Sequence, residues 1–536
     1  MKKLKIFLMF FLVTLFMSSC EKNFDPKIYG QLFTTNFPKT DADYEAYMMA
    51  CYLPFSVNWG YGLTPAWQHN FYVSEGGFMR MFDSTSDLCA PWVIGGWGGS
   101  WLELTQANYN NCRYYARGSG GNPSNFEKVR DITRFTQIIG DLQKATVLTD
   151  ARKAALTGEA RFLRGMMMYY LLHIYGPVPV ILDPTLVGNN EAEQNMVRPS
   201  LADFVQWITD DLQAGVDNLP ATAVKGRYTA SYARFCLMRH CLNEGLYDQA
   251  IALYADLKTA GFGLYTAGAN PYADQFKIAN KFNKEVIMAV SCSATGDGSG
   301  KNGNFNPTSW YVVPSNASKY ADAANTIPTP FVNQGGGWGQ CFNISQAFYN
   351  TFEVGDARIN TILTSYVQNN SGRTVIAAAD LGVKWSGFIV NKYPIEAVSA
   401  FQATDIPLAR WADVLLMYAE AVARKNNAVP TGEALQGVND VRARAGLPAL
   451  SGAAVADYAG FMDALLAERG HELFYEGGRK IDLIRFNKYR HNCTLYKGKI
   501  PTDQYMPLPD YAVLMATTYG KTLDQYFTRP GWASDN

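Results

Sequence analysis

From Asp150 to Tyr175 the chain carries a pattern that only a helix covered on two sides can satisfy. Leu156, Ala160, Leu163, Met167, Tyr170 and Ile174 recur at spacings of four and three, which is one stripe of a helix. Phe162, Met166, Tyr169 and His173 form a second stripe beside it. Gly158 and Gly165 stand seven apart on one face, so a neighbouring helix can approach closely there. Gly176-Pro177-Val178-Pro179 ends the run, because proline has no N–H for the ladder and restricts the residue before it. A chain with such a segment near its centre is expected to be mainly α.

The rest of the pattern agrees. Thr40 or Asp41 can cap a helix running to about Tyr52. Ala233 to Asn243, a break at Gly245, and Tyr247 to Ala260 read as a helical hairpin, and Gly245 to Tyr254 resembles the second half of a tetratricopeptide repeat. A second hairpin runs from Trp411 to Lys425, turns at Val429-Pro430-Thr431-Gly432, and returns from Glu433 to Ala445. The repeats are scattered, which argues against a continuous solenoid. The helical stretches, at about 129–260 and 405–486, are each preceded by an aperiodic region rich in Gly, Asn and aromatics, at about 56–125 and 267–382. Loops this long are usually functional or disordered, and the aromatic content argues against disorder. The expected fold is a single large, mainly α domain over 40–536, built on scattered tetratricopeptide-like hairpins with long irregular loops.

The N-terminus sets the compartment. Lys2, Lys3 and Lys5 precede an apolar run from Ile6 to Met17, too short for a permanent membrane span, and Ser18-Ser19-Cys20 reads as the cleavage site of a bacterial lipoprotein signal. Residues 1–19 are then the signal, Cys20 carries the lipid, and 20–39 is a tether. No later stretch holds eighteen consecutive apolar residues. Of 47 basic residues, losing the three leader lysines leaves 44 against 47 acidic ones, a balance that excludes nucleic acid as partner. The other cysteines, Cys51, Cys89, Cys112, Cys236, Cys241, Cys292, Cys341 and Cys493, include no C-x-x-C, and core thiols are expected.

Four stretches carry a resemblance. Thr157-Gly-Glu-Ala-Arg-Phe-Leu-Arg-Gly-Met-Met-Met-Tyr-Tyr-Leu-Leu-His-Ile-Tyr-Gly-Pro-Val-Pro179 resembles the signature helix of the SusD/RagB family. Arg410-Trp-Ala-Asp-Val-Leu-Leu-Met-Tyr-Ala-Glu-Ala421 and Val438-Asn-Asp-Val-Arg-Ala-Arg-Ala-Gly-Leu-Pro448 are similar to two further motifs of that family. So is Glu468-Arg-Gly-His-Glu-Leu-Phe-Tyr-Glu-Gly-Gly-Arg479 with Asp482-Leu-Ile-Arg485; Pro507-Leu-Pro509 and Pro530-Gly531-Trp532 match its closing segment more loosely. The resemblance implies an outer-membrane lipoprotein of the Bacteroidetes type, facing the cell exterior. It also implies a nutrient-binding role, as a lid on a SusC-like TonB-dependent barrel.

The motifs contain no recognisable catalytic set. His471-Glu472 begins an H-E-x-x-H, but residue 475 is Tyr. Glu468, Glu472 and Glu476 stand four apart, with Arg469, Arg479 and Arg485 nearby, and read as an ion network on one helix face. No G-x-S-x-G occurs, Gly96 to Gly99 and Gly335 to Gly339 lack a P-loop lysine, and Asp297 to Asn304 fails as a calcium loop at Lys301. No cofactor is expected, and a calcium ion elsewhere is not predictable.

Aromatics remain. Trp59, Trp67, Trp92, Trp97, Trp101, Trp310 and Trp338 fall in the two loop regions, whereas Trp207 and Trp411 fall on amphipathic helices and are expected in the core. Flat rings suit sugars, because the axial C–H face of a pyranose is apolar and its hydroxyls seek polar groups at the rim; rigid anchors also lose little entropy on binding. Trp92, Trp97, Trp310, Tyr311 and Trp338 are the candidate ligand contacts. The favoured reading is non-catalytic capture of an oligosaccharide or polysaccharide and delivery to the barrel. The alternative is a peptide-binding lid of the RagB type, and a glycosidase would need two flanking carboxylates that the loops do not single out.

Overall fold

The computed structural model describes residues 37–55, 79–91, 104–109, 125–293, 305–306, 308, 312, 317–320, 343–368, 374–376, 387–396 and 402–532. The chain divides into two units, Met1–Tyr47 and Met48–Asn536. Helix α1 (Asp41–Met49) begins where Thr40 Oγ1 accepts from the Asp43 amide at 3.2 Å and Asp43 Oδ2 accepts from the Thr40 amide at 2.9 Å, a reciprocal cap. It stops short of the expected Tyr52, giving way to a 3₁₀ turn, Ala50–Phe55, that contains Pro54.

The second unit begins with helices α2 (Lys128–Lys144), α3 (Asp150–Tyr175), α4 (Leu201–Asn218), α5 (Ala230–Asn243) and α6 (Tyr247–Lys258), each packed on the one before. Helix α3 has the bounds the pattern predicts. The Thr149 side chain accepts from the Arg152 amide at its start, and Gly176 ends it at φ +78°. Both of its apolar stripes are buried. A Cβ on Gly165 would stand 2.9 Å from Asp211 Cβ and 3.1 Å from the Leu212 amide; one on Gly158 would stand 2.4 Å from Asn218 Cβ. Helix α4 reciprocates, since a Cβ on its Gly215 would meet Phe162 Cβ at 2.8 Å. This close approach lets Arg164 clamp Asp211 through two bonds of 2.7 and 3.0 Å while reaching Thr136 on α2 at 2.9 Å.

After α6 the chain enters the region expected to be aperiodic, and there it forms short strands. Strand β1 (Val286–Val290) pairs antiparallel with a late strand, β7 (Ile406–Arg410), through two register irregularities. Strands β2 (Ala317–Tyr320), β4 (Ser365–Gln368) and β5 (Thr374–Ile376) form one sheet in the order β2-β4-β5; β3 (Ile362–Leu363) pairs with β6 (Ile389–Val390). Helices α7 (Trp411–Asn426), α8 (Glu433–Arg444), α9 (Tyr458–Leu473), α10 (Arg479–Arg485) and α11 (Asp510–Thr518) complete the fold. The hairpin α7–α8 packs on α6, and α9 packs on α7.

Two side-chain expectations meet different outcomes. Trp411 is buried, but Trp207 is only half-buried, its ring set edge-on to that of Phe204 on the same helix. Cys51, Cys89, Cys241, Cys292 and Cys493 are buried free thiols, and Cys236 is half-buried. Among the described residues no helix is long and apolar enough to cross a membrane.

The α3–α4 contact is testable. Gly165→Leu is expected to lower stability by about 1–3 kcal/mol through overpacking, read as a lower urea midpoint at unchanged slope. Gly263→Ala, whose Cβ meets only the Lys284 side chain at 3.8 Å, should leave the midpoint in place.

Candidate functional site

At its last residue β7 delivers Arg410 into a buried array of charges. Arg410 Nη1 donates to Glu285 at 2.5 Å and to Glu472 at 2.8 Å, and its Nη2 donates to Glu476 at 2.6 Å. Arg444, from the end of α8, bonds the other oxygen of Glu285 at 3.0 Å and shares Glu472 with Arg410. Arg358 reaches Glu468 at 2.6 Å and Glu472 at 3.3 Å, and Arg442 takes the second Glu468 oxygen at 3.1 Å. Helix α9 supplies Glu468 and Glu472 four apart on one face. Glu476 does not continue that face. The helix ends at Leu473, Tyr475 sits at φ +59°, and Glu476 turns back to meet Arg410 and, at 2.5 Å, Lys392 Nζ.

The electrostatics follow from this pairing. Burial by itself would raise Glu472, but Arg444, Arg410 and Arg358 bring it down to about 2. Burial likewise opposes ionisation of Glu420 and Asp413, yet Arg485 and Arg424 lower the first and Arg469 and Arg239 the second. Burial holds His240 down at about 4 and, with nearby arginines, holds His173 and His471 well below the ordinary histidine value. These carboxylates are neutralised at close range and are poorly placed for acid–base chemistry. Among the described residues no three or more His, Cys, Asp or Glu side chains gather so as to hold a metal.

The array also docks a segment from far upstream. Asp83 accepts from the Gly477 and Arg479 amides at 2.8 and 3.1 Å, although burial still pushes it up to about 7. Asp87 takes Arg479 through bonds of 2.9 and 2.8 Å, Lys497 Nζ donates to the Ser84 carbonyl at 2.7 Å, and Tyr489 donates to the Thr85 carbonyl at 2.9 Å. Held in this way, residues 88–90 meet two other stretches. Cys89 bridges to Ile344, and Ile344 bridges in turn to Phe388. The bonds are Ala90 N to Asn343 O at 2.9 Å, Ser345 N to Leu88 O at 2.8 Å, and a reciprocal Ile344–Phe388 pair at 2.9 and 2.8 Å. Gly387 permits the junction, since a Cβ there would stand 2.5 Å from the Ile344 carbonyl oxygen.

This junction bears on the candidate contacts. Trp92, Trp97, Trp310, Tyr311 and Trp338, with the lipid-bearing candidate Cys20, lie outside the described residues, as do the glycine-rich stretches and the Asp297–Asn304 segment. Their stems are described. Pro91 immediately precedes Trp92, and Asn343 closes the stretch that contains Trp338. Trp310 and Tyr311 stand between the buried residues Thr308 and Val312; just before them, Asn306 bonds the Gln402 carbonyl at 2.9 Å and Thr404 at 3.2 Å. Pattern reading missed the cations of the array, Arg358, Lys392, Arg410, Arg442 and Arg444. Three of these stand within motifs the sequence had already singled out, which was the available signal.

Fold and core together define a scaffold of helical hairpins built around a buried ionic centre. Comparison with known proteins places that scaffold. A family model described as the SusD family matches residues 284–527, and one described as starch-binding associating with outer membrane matches residues 124–239. The chain belongs to the SusD/RagB family. A SusD-like protein of Bacteroides ovatus is 27% identical over 385 residues, which cover 67% of this chain and 64% of that one, so the match spans just under two thirds of that relative's own length. The starch-binding protein SusD of Bacteroides thetaiotaomicron is 23% identical over 419 residues, 69% of this chain and 70% of that one. Among solved structures, a laminarin-binding SusD-like protein superposes with a TM-score of 0.70 at 19% identity, covering 92% of this chain and 100% of that one. Surface glycan-binding protein A from Bacteroides fluxus superposes with a TM-score of 0.67 at 19% identity, with the same coverage.

Two outcomes test the ionic centre. Arg410→Met should cost about 3–5 kcal/mol, because Glu285, Glu472 and Glu476 stay buried with a partner removed; urea denaturation reads it. Acid should weaken the fold in two stages. The unfolded chain takes up protons on its histidines near pH 6.5 while His173, His240 and His471 resist them, so stability falls as pH drops below that value. Glu472, depressed from 4.5 to about 2, adds a steeper loss between those two values. Asp83, raised to about 7, works in the opposite direction as a single group. Urea midpoints flat from pH 7 to 3 would contradict the assignment.

Proposed function

We propose that this protein is a non-catalytic glycan-binding lipoprotein, anchored through Cys20 at the outer face of the outer membrane, that passes oligosaccharide to a SusC-like TonB-dependent barrel. The observation that carries this reading is the junction of Cys89, Ile344 and Phe388. Two loop regions more than two hundred residues apart leave the core side by side. Trp92 follows Cys89 by three residues and Trp338 precedes Ile344 by six, spans of at most about 11 and 22 Å. Rings from both regions are therefore within reach of a single sugar chain. The relatives named for starch, laminarin or surface glycans favour the same ligand class. Carboxylates neutralised by arginine support capture without cleavage, and a lipid-tethered binder in which no helix among the described residues is long and apolar enough to cross a membrane calls for a barrel partner.

Trp92→Ala and Trp338→Ala should each weaken binding of a soluble polysaccharide by about tenfold, the loss of one aromatic anchor, while leaving the thermal midpoint in place. Calorimetric titration against a panel that includes laminarin, starch and mixed peptides decides it. Unchanged glycan affinity in both variants would refute the platform, and binding confined to peptides would favour the peptide-lid alternative. Release of reducing ends by the pure protein would refute the non-catalytic part.

A further inference from the structure

The stretch 92–103 carries three of the loop tryptophans, Trp92, Trp97 and Trp101, and four glycines among its twelve residues. Glycine leaves a backbone the widest choice of conformations, so what limits the placing of these rings is how the two ends of the stretch are held. The described segments on either side, 79–91 and 104–109, meet at one side chain. Tyr489, on the short helical turn Tyr489–Asn492, is fully buried and donates its only hydroxyl proton to the Thr85 carbonyl at 2.9 Å. Its Oη also stands 2.5 Å from that of Tyr109, itself fully buried, so Tyr109 is the donor in that bond and Tyr489 the acceptor. One hydroxyl joins the entry to the stretch to its exit.

Neighbouring residues reinforce the joint. Consecutive residues of α10 take one end each. Arg479 holds Asp87 at 2.9 and 2.8 Å, and the buried Lys480 ammonium lies 4.5 Å from the centre of the Tyr109 ring and 5.3 Å from that of Tyr489. A desolvated ammonium on the faces of two rings attracts both. Asn492 Nδ2 adds a bond to Asp87 at 3.0 Å on the entry side. On the exit side Thr502 Oγ1 accepts from the Tyr109 amide at 3.2 Å, and the Thr502 amide donates to the Ala107 carbonyl at 3.1 Å.

We infer that Tyr489 and Lys480 are positioning residues for glycan capture: they tie the two ends of the stretch 92–103 together and so set how tightly its tryptophans engage a sugar chain, without touching the sugar. This role rests on the loop-platform reading. A stretch with tied ends has fewer conformations to lose when its rings engage ligand, which lowers the entropic cost of binding. Untying the ends returns that cost at the moment of binding.

Tyr489→Phe keeps the ring beside Lys480 and removes the shared hydroxyl; Tyr52→Phe, which loses a bond to Glu159 on α3, is the control for a tyrosine hydroxyl lost elsewhere. In the unliganded full chain, the Ala90 and Tyr109 amides, bonded to Asn343 and Thr502, should exchange hydrogen roughly tenfold faster in Tyr489→Phe than in Tyr52→Phe. Titration with laminarin or starch, whichever binds, well below the melting point should show affinity lowered roughly two- to tenfold in Tyr489→Phe, the factor that one buried hydrogen bond carries. Lys480→Met should act in the same direction. In the Trp92→Ala background Tyr489→Phe should have a smaller further effect, because it acts in part through that ring. Amides that exchange alike in the two tyrosine variants would overturn the joint, whatever the glycan result. Faster exchange with unchanged affinity, or an affinity loss that adds in full to that of Trp92→Ala, would make Tyr489 a merely structural residue and overturn the positioning role. Unchanged affinity in Trp92→Ala would instead refute the platform, and the exchange result would still judge the joint.

Discussion

The fold turns on the contact between Arg410 and Glu472. Neither side chain is exposed, and between them they engage β7, α8, α9, the Arg358 turn and Glu285 just before β1. Buried ions are a weak source of net stability, since the desolvation of each charge offsets most of its attraction to the next. What they enforce is position. A shift of any contributing element leaves a charge buried without its partner, an error of several kcal/mol, and that error discriminates strongly among near-native arrangements.

The helical half of the molecule achieves position by other means. Helices α3 and α4 interlock because Gly158, Gly165 and Gly215 remove the side chains that would hold the backbones apart. The gap they leave is small enough for Arg164 to join α2, α3 and α4 through Asp211 and Thr136. Shape complementarity sets the first half of the scaffold and charge complementarity the second. The two meet where α7 packs on α6 and again at α10, whose Arg485 bonds Asn243 in the first hairpin.

The ionic centre also explains how the residues that flank the aromatic-rich stretches are held in place. Residues 83–87 have no extensive apolar contact surface of their own to hold them, yet Asp83 and Asp87 fasten them to the Gly477–Arg479 turn, and the Cys89–Ile344–Phe388 junction follows directly. A binding surface assembled from separate loops needs stems that do not move. Main-chain bonds to buried carboxylates supply that rigidity better than surface contacts would.

The readable parts were those governed by local rules. The bounds of α3, its Gly176 stop, the glycine face and both hairpin turns depend on residues a few positions apart, so periodicity and the chemistry of glycine and proline determined them. The short strands left no such trace, because segments of two to five residues with irregular register have no period to detect. An ion network was legible, but its partners were not, for a geometric reason. Arg469 adjoins Glu468 in sequence but points about 100° away around the helix, where it meets Asp413 and Asp482, while Glu468 is met by Arg358 from 110 residues upstream. For the candidate site, the sequence by itself determined which aromatic residues the loops carry and that no familiar catalytic set accompanies them. Only the tertiary structure decided that the stems of Trp92 and Trp338 emerge together, because that adjacency rests on hydrogen bonds among three stretches far apart in the chain, and no local rule encodes their meeting.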